Sequence, residues 1–208
     1  CIRDSFYIMA TQITPTTELQ AVNIMLSVIG EAPINTLAGS TTTDVSIAIN
    51  LLNESSMSVQ SMGWNFNTNY NYNVTIDDTG KIPLPANWVQ ADAGAADRSR
   101  NVVIRAGFLY DLDNDTDIFT KAIPLDVVLV QQFEDLPEYA RRYITSKAAR
   151  RFAARTIGDG ELTQLAGQDE QEAYIAFQQA DSRSADVNIL EGDANTFSII
   201  NRPPRRTY

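Results

Sequence analysis

Residues 64–77 read WNFNTNYNYNVTID, and the fold turns on what becomes of this stretch. Five asparagines among residues 64–73 match the composition of a low-complexity, aggregation-prone tract. The spacing does not match it. Even positions carry Trp64, Phe66, Thr68, Tyr70, Tyr72, Val74 and Ile76, while odd positions carry Asn65, Asn67, Asn69, Asn71, Asn73, Thr75 and Asp77. Side chains of a strand alternate between its two faces, so this parity predicts one long strand with its even, mostly aromatic face on a core. The odd face is then an amide surface, expected to be solvated or to contact another subunit rather than to bind sugar.

On the N-terminal side, Thr14–Pro15 predicts a helix entry, with a capping hydroxyl and a preset first φ. Leu19, Val22, Leu26 and Ile29 share one face of that helix, which Gly30 and Pro33 end. Asp44 opens a second helix striped by Ala48, Leu51, Leu52, Ser55, Val59 and Met62, with Gly63 closing it. On the C-terminal side, 78–126 reads as short strands and turns. DDTGK (77–81) is a turn, VVIRAGFLY (102–110) is a strand with a bulge at Gly107, and IPLDVVLVQQF is the most buried strand. Leu136–Pro137 opens the longest helix, along which Ala140, Ile144, Ala148 and Phe152 recur at i, i+4. GDG (158–160) breaks it before a second helix that returns on the first.

The predicted class is therefore α+β: a helical bundle, made of an N-terminal helix pair and a C-terminal long helix pair, with an inserted antiparallel β-sheet domain and an extended C-terminal arm. The boundaries are 9–63 and 134–182 for the helical domain, 64–133 for the β domain, and 183–208 for the arm. Residues 1–8, before Met9, read as a leader or as residues added in cloning. They are too few for a secretory signal.

Composition removes many functions. The 208 residues, 44% hydrophobic and 20% charged, suffice for a real core. No histidine is present, which excludes Ser-His-Asp and Cys-His catalysis and histidine-based metal or pH-switch chemistry. The single cysteine, Cys1, permits neither an internal disulfide nor a thiolate cluster. A formal charge of −10 opposes general binding to nucleic acid or an anionic membrane. No apolar run approaches the roughly 18 residues of a membrane span, and the chain reads as soluble.

The remaining constellations are weak. In DLDNDTD (111–117), Asp111, Asp113 and Asp115 match the first EF-hand ligand positions, but Thr116 stands where the loop needs glycine and Ala122 where it needs glutamate. An acidic turn is expected, not a calcium site. The bases Arg141, Arg142, Lys147, Arg150, Arg151 and Arg155 spread around their helix instead of forming one stripe, which predicts ion pairs with neighbouring elements or another subunit rather than DNA reading. Carboxylate pairs such as Glu134 with Asp135, or Glu170 with Glu172, fix no glycosidase geometry, and no phosphate-binding glycine motif occurs.

Four stretches taken together go further: ELQAVNIMLSVIGEAPINTL (18–37), QSMGWNFN (60–67), FEDLPEYARRYITSKAARRF (133–152) and NILEGDANTF (188–197). In this order they resemble the tail tubular protein A family of short-tailed bacteriophages, over roughly Met9 to Phe197. Residues 78–120 match only as a pattern of strands, so no loop function carries over. The resemblance implies a virion structural protein. Twelve copies would form an adaptor or gatekeeper ring between the portal and the nozzle of tail tubular protein B. Double-stranded DNA would pass through without tight binding, and tail fibres would attach near the lower edge. It implies no catalytic residue, no cofactor and no membrane partner, with location in the virion tail after assembly in the host bacterial cytoplasm. Acidic charge suits such a conduit, because a basic lining would hold the duplex through counterion release.

Two groups of residues are expected to make contacts. Phe197, Ile199, Ile200, Arg202, Arg205 and Arg206 of the arm, which lacks helical or strand period, would dock a partner. Arg150, Arg151 and Arg155 would make subunit or channel contacts. The competing classes are a tail-associated polysaccharide or peptidoglycan hydrolase and a carbohydrate-binding module using the aromatic strand. The second requires even-face aromatics that this reading buries.

Overall fold

Ala140, Ile144, Ala148 and Phe152 are all fully buried and mark the axis about which the helices pack. The computed structural model describes residues 14–39 and 42–184. In chain order the elements are α1 (Glu18–Val28), α2 (Thr43–Gln60), β1 (Thr68–Asn73), β2 (Trp88–Ala93), β3 (Val102–Arg105), β4 (Phe108–Asp111), β5 (Pro124–Leu129), α3 (Glu138–Thr156) and α4 (Gly160–Ser184). The class is α+β. Residues 1–8, and the arm from 185 on, lie outside the described residues.

The helices share one core. Val22, Met25 and Leu26 of α1, Ala48, Leu51 and Leu52 of α2, and the α3 stripe meet around Phe177 of α4. Phe177 is fully buried, with Trp64 edge-on at 4.4 Å and Tyr143 stacked at 5.1 Å. Burying such a side chain is worth about 2–3 kcal/mol. The sequence places the start of α1 at Thr14–Pro15, but it begins three residues later. Thr17 Oγ1 accepts from Gln20 N at 3.2 Å while Thr17 N donates to Gln20 Oε1 at 3.1 Å, and this reciprocal cap outcompetes the proline entry. Met62, assigned to the α2 stripe, is 63% exposed because the helix has already ended at Gln60.

A second core lies under the sheet. Strand β5 is central in the antiparallel order β1-β5-β2, with Leu125 and Val127 fully buried, as its apolar run predicts. They pack with Ile82, Trp88, Leu109 and Phe119. Strands β3 and β4 form a separate pair, and here the sequence reading needs correction. VVIRAGFLY is not one bulged strand. Ala106 (φ 51°) and Gly107 (φ 80°) are both left-handed between the paired residues Arg105 and Phe108, which makes a two-residue hairpin turn.

Residues 64–77 also depart from the parity reading. Residues 65–67 form a 3₁₀ turn, and β1 begins only at Thr68. Trp64 and Phe66 pack on the helical core, Val74 and Ile76 on the sheet core. Between them Tyr70 is 66% and Tyr72 45% exposed, whereas Asn67 is 1% exposed. The cause is a bulge: pairing steps from Asn69–Val127 to Tyr72–Leu125, and Asn71 sits at φ 53° with its N–H on Asp126 Oδ1 at 2.8 Å. One extra residue inverts parity downstream.

Candidate assembly surfaces

The junction between helices and sheet is held by buried amides. Gln60, fully buried at the end of α2, accepts from Gln131 N at 2.8 Å and donates to Gln131 O at 3.0 Å, so its side chain imitates one rung of a ladder. Asn67 Nδ2 donates to Gln60 O and Leu129 O, both at 2.8 Å, while its Oδ1 accepts from Trp64 N at 2.8 Å. Asn65 Nδ2 donates to Asp181 Oδ2 at 2.9 Å, tying the same turn to α4. The sequence reading placed Asn65 and Asn67 on a solvated or subunit-contacting face and gave Gln60 no role. For Gln60 a signal existed, since Ser56 and Gln60 continue the α2 stripe from Leu52 at i+4 steps.

Four of the six bases of α3, Arg141, Arg150, Arg151 and Arg155, find acids in the same chain. Arg150 pairs with Glu170 of α4, and Arg151 pairs with Glu54 of α2. Arg155 reaches the second oxygen of Glu54 at 3.4 Å. The Arg151 hydrogen bond holds the Glu54 carboxyl below its ordinary range. Arg141 has a different use. It is buried, donates to Leu136 O at 2.7 Å and to Thr16 O at 2.9 Å, and lies 3.4 Å from a Glu134 carboxylate oxygen. It thereby locks the entries of α1 and α3 together. Glu134 and Glu170, considered above as hydrolytic acids, are thus occupied in ion pairs.

The acidic turn closes on itself. Asp111 accepts from Asp113 N, Asn114 N and Asn114 Nδ2, and the last of these is the main cause of its lowered pKa. Asp115 accepts from the Tyr110 hydroxyl at 2.6 Å. Among the described residues no group of three His, Cys, Asp or Glu side chains is placed to hold a metal ion. None of the described helices is long and apolar enough to cross a membrane.

Among the described residues, two surfaces stand out as open to partners. The first is β1, an edge strand on which Tyr70 and Tyr72 are exposed, the latter edge-on to Trp88 at 5.1 Å. The second is a groove of about 720 Å³ with α3 as its floor and α1 and α4 as its walls. Ile24, Tyr139, Ala173 and Ala176 give it apolar surface, and Glu138, Asp169, Glu172 and Arg142 give it charge. Phe197, Ile199, Ile200, Arg202, Arg205 and Arg206 lie outside the described residues.

Comparison with known proteins agrees with an assembly role rather than a reaction centre. A family model described as Tube, tail tubular protein, matches residues 19–187 and so spans both cores. Tail tubular protein A of Klebsiella phage KP34 is 27% identical over 141 residues, which cover 68% of this chain and 74% of that protein.

Proposed function

Since the chain belongs to the tail tubular protein family, a family of phage tail structural proteins and not of enzymes, we propose that it forms a twelve-fold adaptor ring between portal and tail nozzle. In this reading the neighbours are the portal above, tail tubular protein B below, and tail fibres at the lower edge. Assembly takes place in the host bacterial cytoplasm. The helical part (9–63 with 134–182) and the β part (64–133) act as two units of each subunit, with residues 183–208 as the docking arm. Duplex DNA passes without being held.

The observation that carries the reading is a family match spanning helices and sheet alike. The physical chemistry supports it. A chain of net charge −10, in which Arg150, Arg151 and Arg155 are already paired with Glu170 and Glu54, offers little to phosphates. The amide-locked junction suits a part that must transmit load between two neighbours without hinging. The test is electron microscopy of the protein mixed with its portal. Twelve-fold rings seated on the portal are expected, and the absence of any ring in that mixture, with the portal intact, would refute it.

One observation favours a second reading. Tyr70 and Tyr72, aromatics of the kind a carbohydrate-binding strand requires, are exposed, as are Asn69, Asn71 and Asn73. Saturable binding of host polysaccharide, lost in Tyr70→Ala, would support it.

A further inference from the structure

The groove over α3 has a chemistry of its own, and the chain contains a segment that matches it. At one end Thr16 N and Oγ1 both donate to the Glu138 carboxylate at 2.7 Å, which sets α1 alongside the first half of α3. α4 returns on the other side, leaving the floor between them uncovered. Ile24 is 46% exposed on one wall, though it belongs to a helix whose opposite face is fully buried. Three carboxylates, Glu138, Asp169 and Glu172, face one guanidinium, Arg142, so the groove carries a net charge of −2. An occupant therefore needs apolar side chains together with positive charge.

Residues 197–208, FSIINRPPRRTY, hold Phe197, Ile199 and Ile200 followed by Arg202, Arg205 and Arg206, with no acid. The prolines bar a helix and favour an extended run, which fits a narrow groove. The distance is permissive. Ser184, the last residue of α4, is eight residues beyond Ala176, or about 12 Å along the helix. The thirteen residues from there to Phe197 span up to about 43 Å when extended.

We propose that the groove between α1 and α4 is the seat of this chain's own segment 197–208 before assembly. Its apolar residues lie on Ile24, Tyr139, Ala173 and Ala176, and its arginines face Asp169 and Glu172. The seat covers the apolar residues of the segment until a partner competes for them. It is a property of the free chain and stands apart from the ring. Rings without the seat, or the seat without rings, would each be recognisable.

The probe is a labelled peptide of residues 197–208 added to full-length protein, followed by fluorescence anisotropy. A tethered segment has a local concentration on the order of 1 mM, so a peptide of about 0.1 mM affinity meets roughly tenfold competition in the wild type. The full-length variant Arg202→Glu/Arg205→Glu/Arg206→Glu, whose segment is repelled, should bind the peptide about tenfold more tightly than wild type. Adding Asp169→Lys and Glu172→Lys, both exposed, should abolish that binding while the far-ultraviolet circular dichroism is unchanged. Equal binding by wild type and the triple-arginine variant would overturn the proposal, as would binding by neither. Wild type that sediments as a dimer dissociated by the peptide would also overturn it, because the seat would then belong to a second copy.

Discussion

Asn67→Ala is the most informative perturbation of the core, because the stretch around it looks dispensable and is not. The substitution removes three hydrogen bonds of 2.8 Å: to Gln60 O, to Leu129 O and from Trp64 N. Their fates differ. Gln60 O keeps the Gly63 N–H at 3.2 Å, so it is not stranded. Trp64 N loses its acceptor in a half-buried turn, and Leu129 O loses its Asn67 donor at the end of the central strand. A buried polar group left unsatisfied costs about 1–3 kcal/mol, and these two share one relaxing loop, so a total near 2 kcal/mol is expected. In a chain of this size that lowers the melting temperature by about 4–8 °C. Chemical denaturation of Asn67→Ala beside Asn69→Ala is the assay. Asn69 is exposed two residues on, in β1, and its substitution should stay within about 0.5 kcal/mol. Equal losses at the two positions, or a loss under 1 kcal/mol at Asn67, would refute the amide-locked junction.

Other substitutions test other parts. Phe66→Ala removes a ring edge-on to Tyr139 at 6.2 Å and Phe177 at 6.3 Å, and should cost about 2–3 kcal/mol in denaturant unfolding, below the full core value because Phe66 is half-buried. Gly107→Ala should cost roughly 1 kcal/mol from backbone strain alone, since φ is 80° and an added Cβ would meet nothing within 4 Å. Ala106→Asn in the same turn should stabilise by about 0.5 kcal/mol, measured in the same way, because asparagine tolerates the left-handed conformation better. Arg151→Met should destabilise at neutral pH and less in acid. The folded Glu54 carboxyl titrates below its unfolded value, so the pair's contribution is complete above that unfolded value and disappears as pH falls through the folded one. A wild-type to Arg151→Met difference that persists in acid would locate the effect in packing instead.

The helices were legible and the junctions were not, for a physical reason. The step from Ala140 to Phe152 repeats every four residues because α3 buries one face along most of its length, and such a pattern has one reading. The stretch 64–77 carries an equally regular period of two, yet it serves two cores in turn. Trp64 and Phe66 belong to the helices, Val74 and Ile76 to the sheet, and the bulge at Asn71 reverses the faces between them. Parity reports alternation but not which core each residue meets. Buried amides escape the same reading, because Asn67 and Gln60 look like surface until their backbone partners are known. The hairpin at Ala106–Gly107 was hidden by its first residue, since alanine announces no turn. The groove was out of reach of any period, being the space left between α1 and α4 where both pack on α3.

The ion pairs of α3 rank the arginines for the proposed ring. An arginine can turn to a neighbouring subunit or to duplex DNA only by releasing its present acid, and the cost depends on what happens to that acid. Glu170 is 16% exposed, so Arg150 would leave a poorly hydrated carboxylate behind. Glu54 is 50% exposed and is shared by Arg151 and Arg155, so either arginine can leave while the other still neutralises it. Arg155, itself 54% exposed and at the longer 3.4 Å contact, has the least to lose. Exchange with a partner therefore falls to Arg155 before Arg151, and Arg150 stays a clamp between α3 and α4. Of these three arginines, a duplex in the proposed ring would find only Arg155 readily released, against an acid beside it. This is weaker neutralisation than stable retention requires.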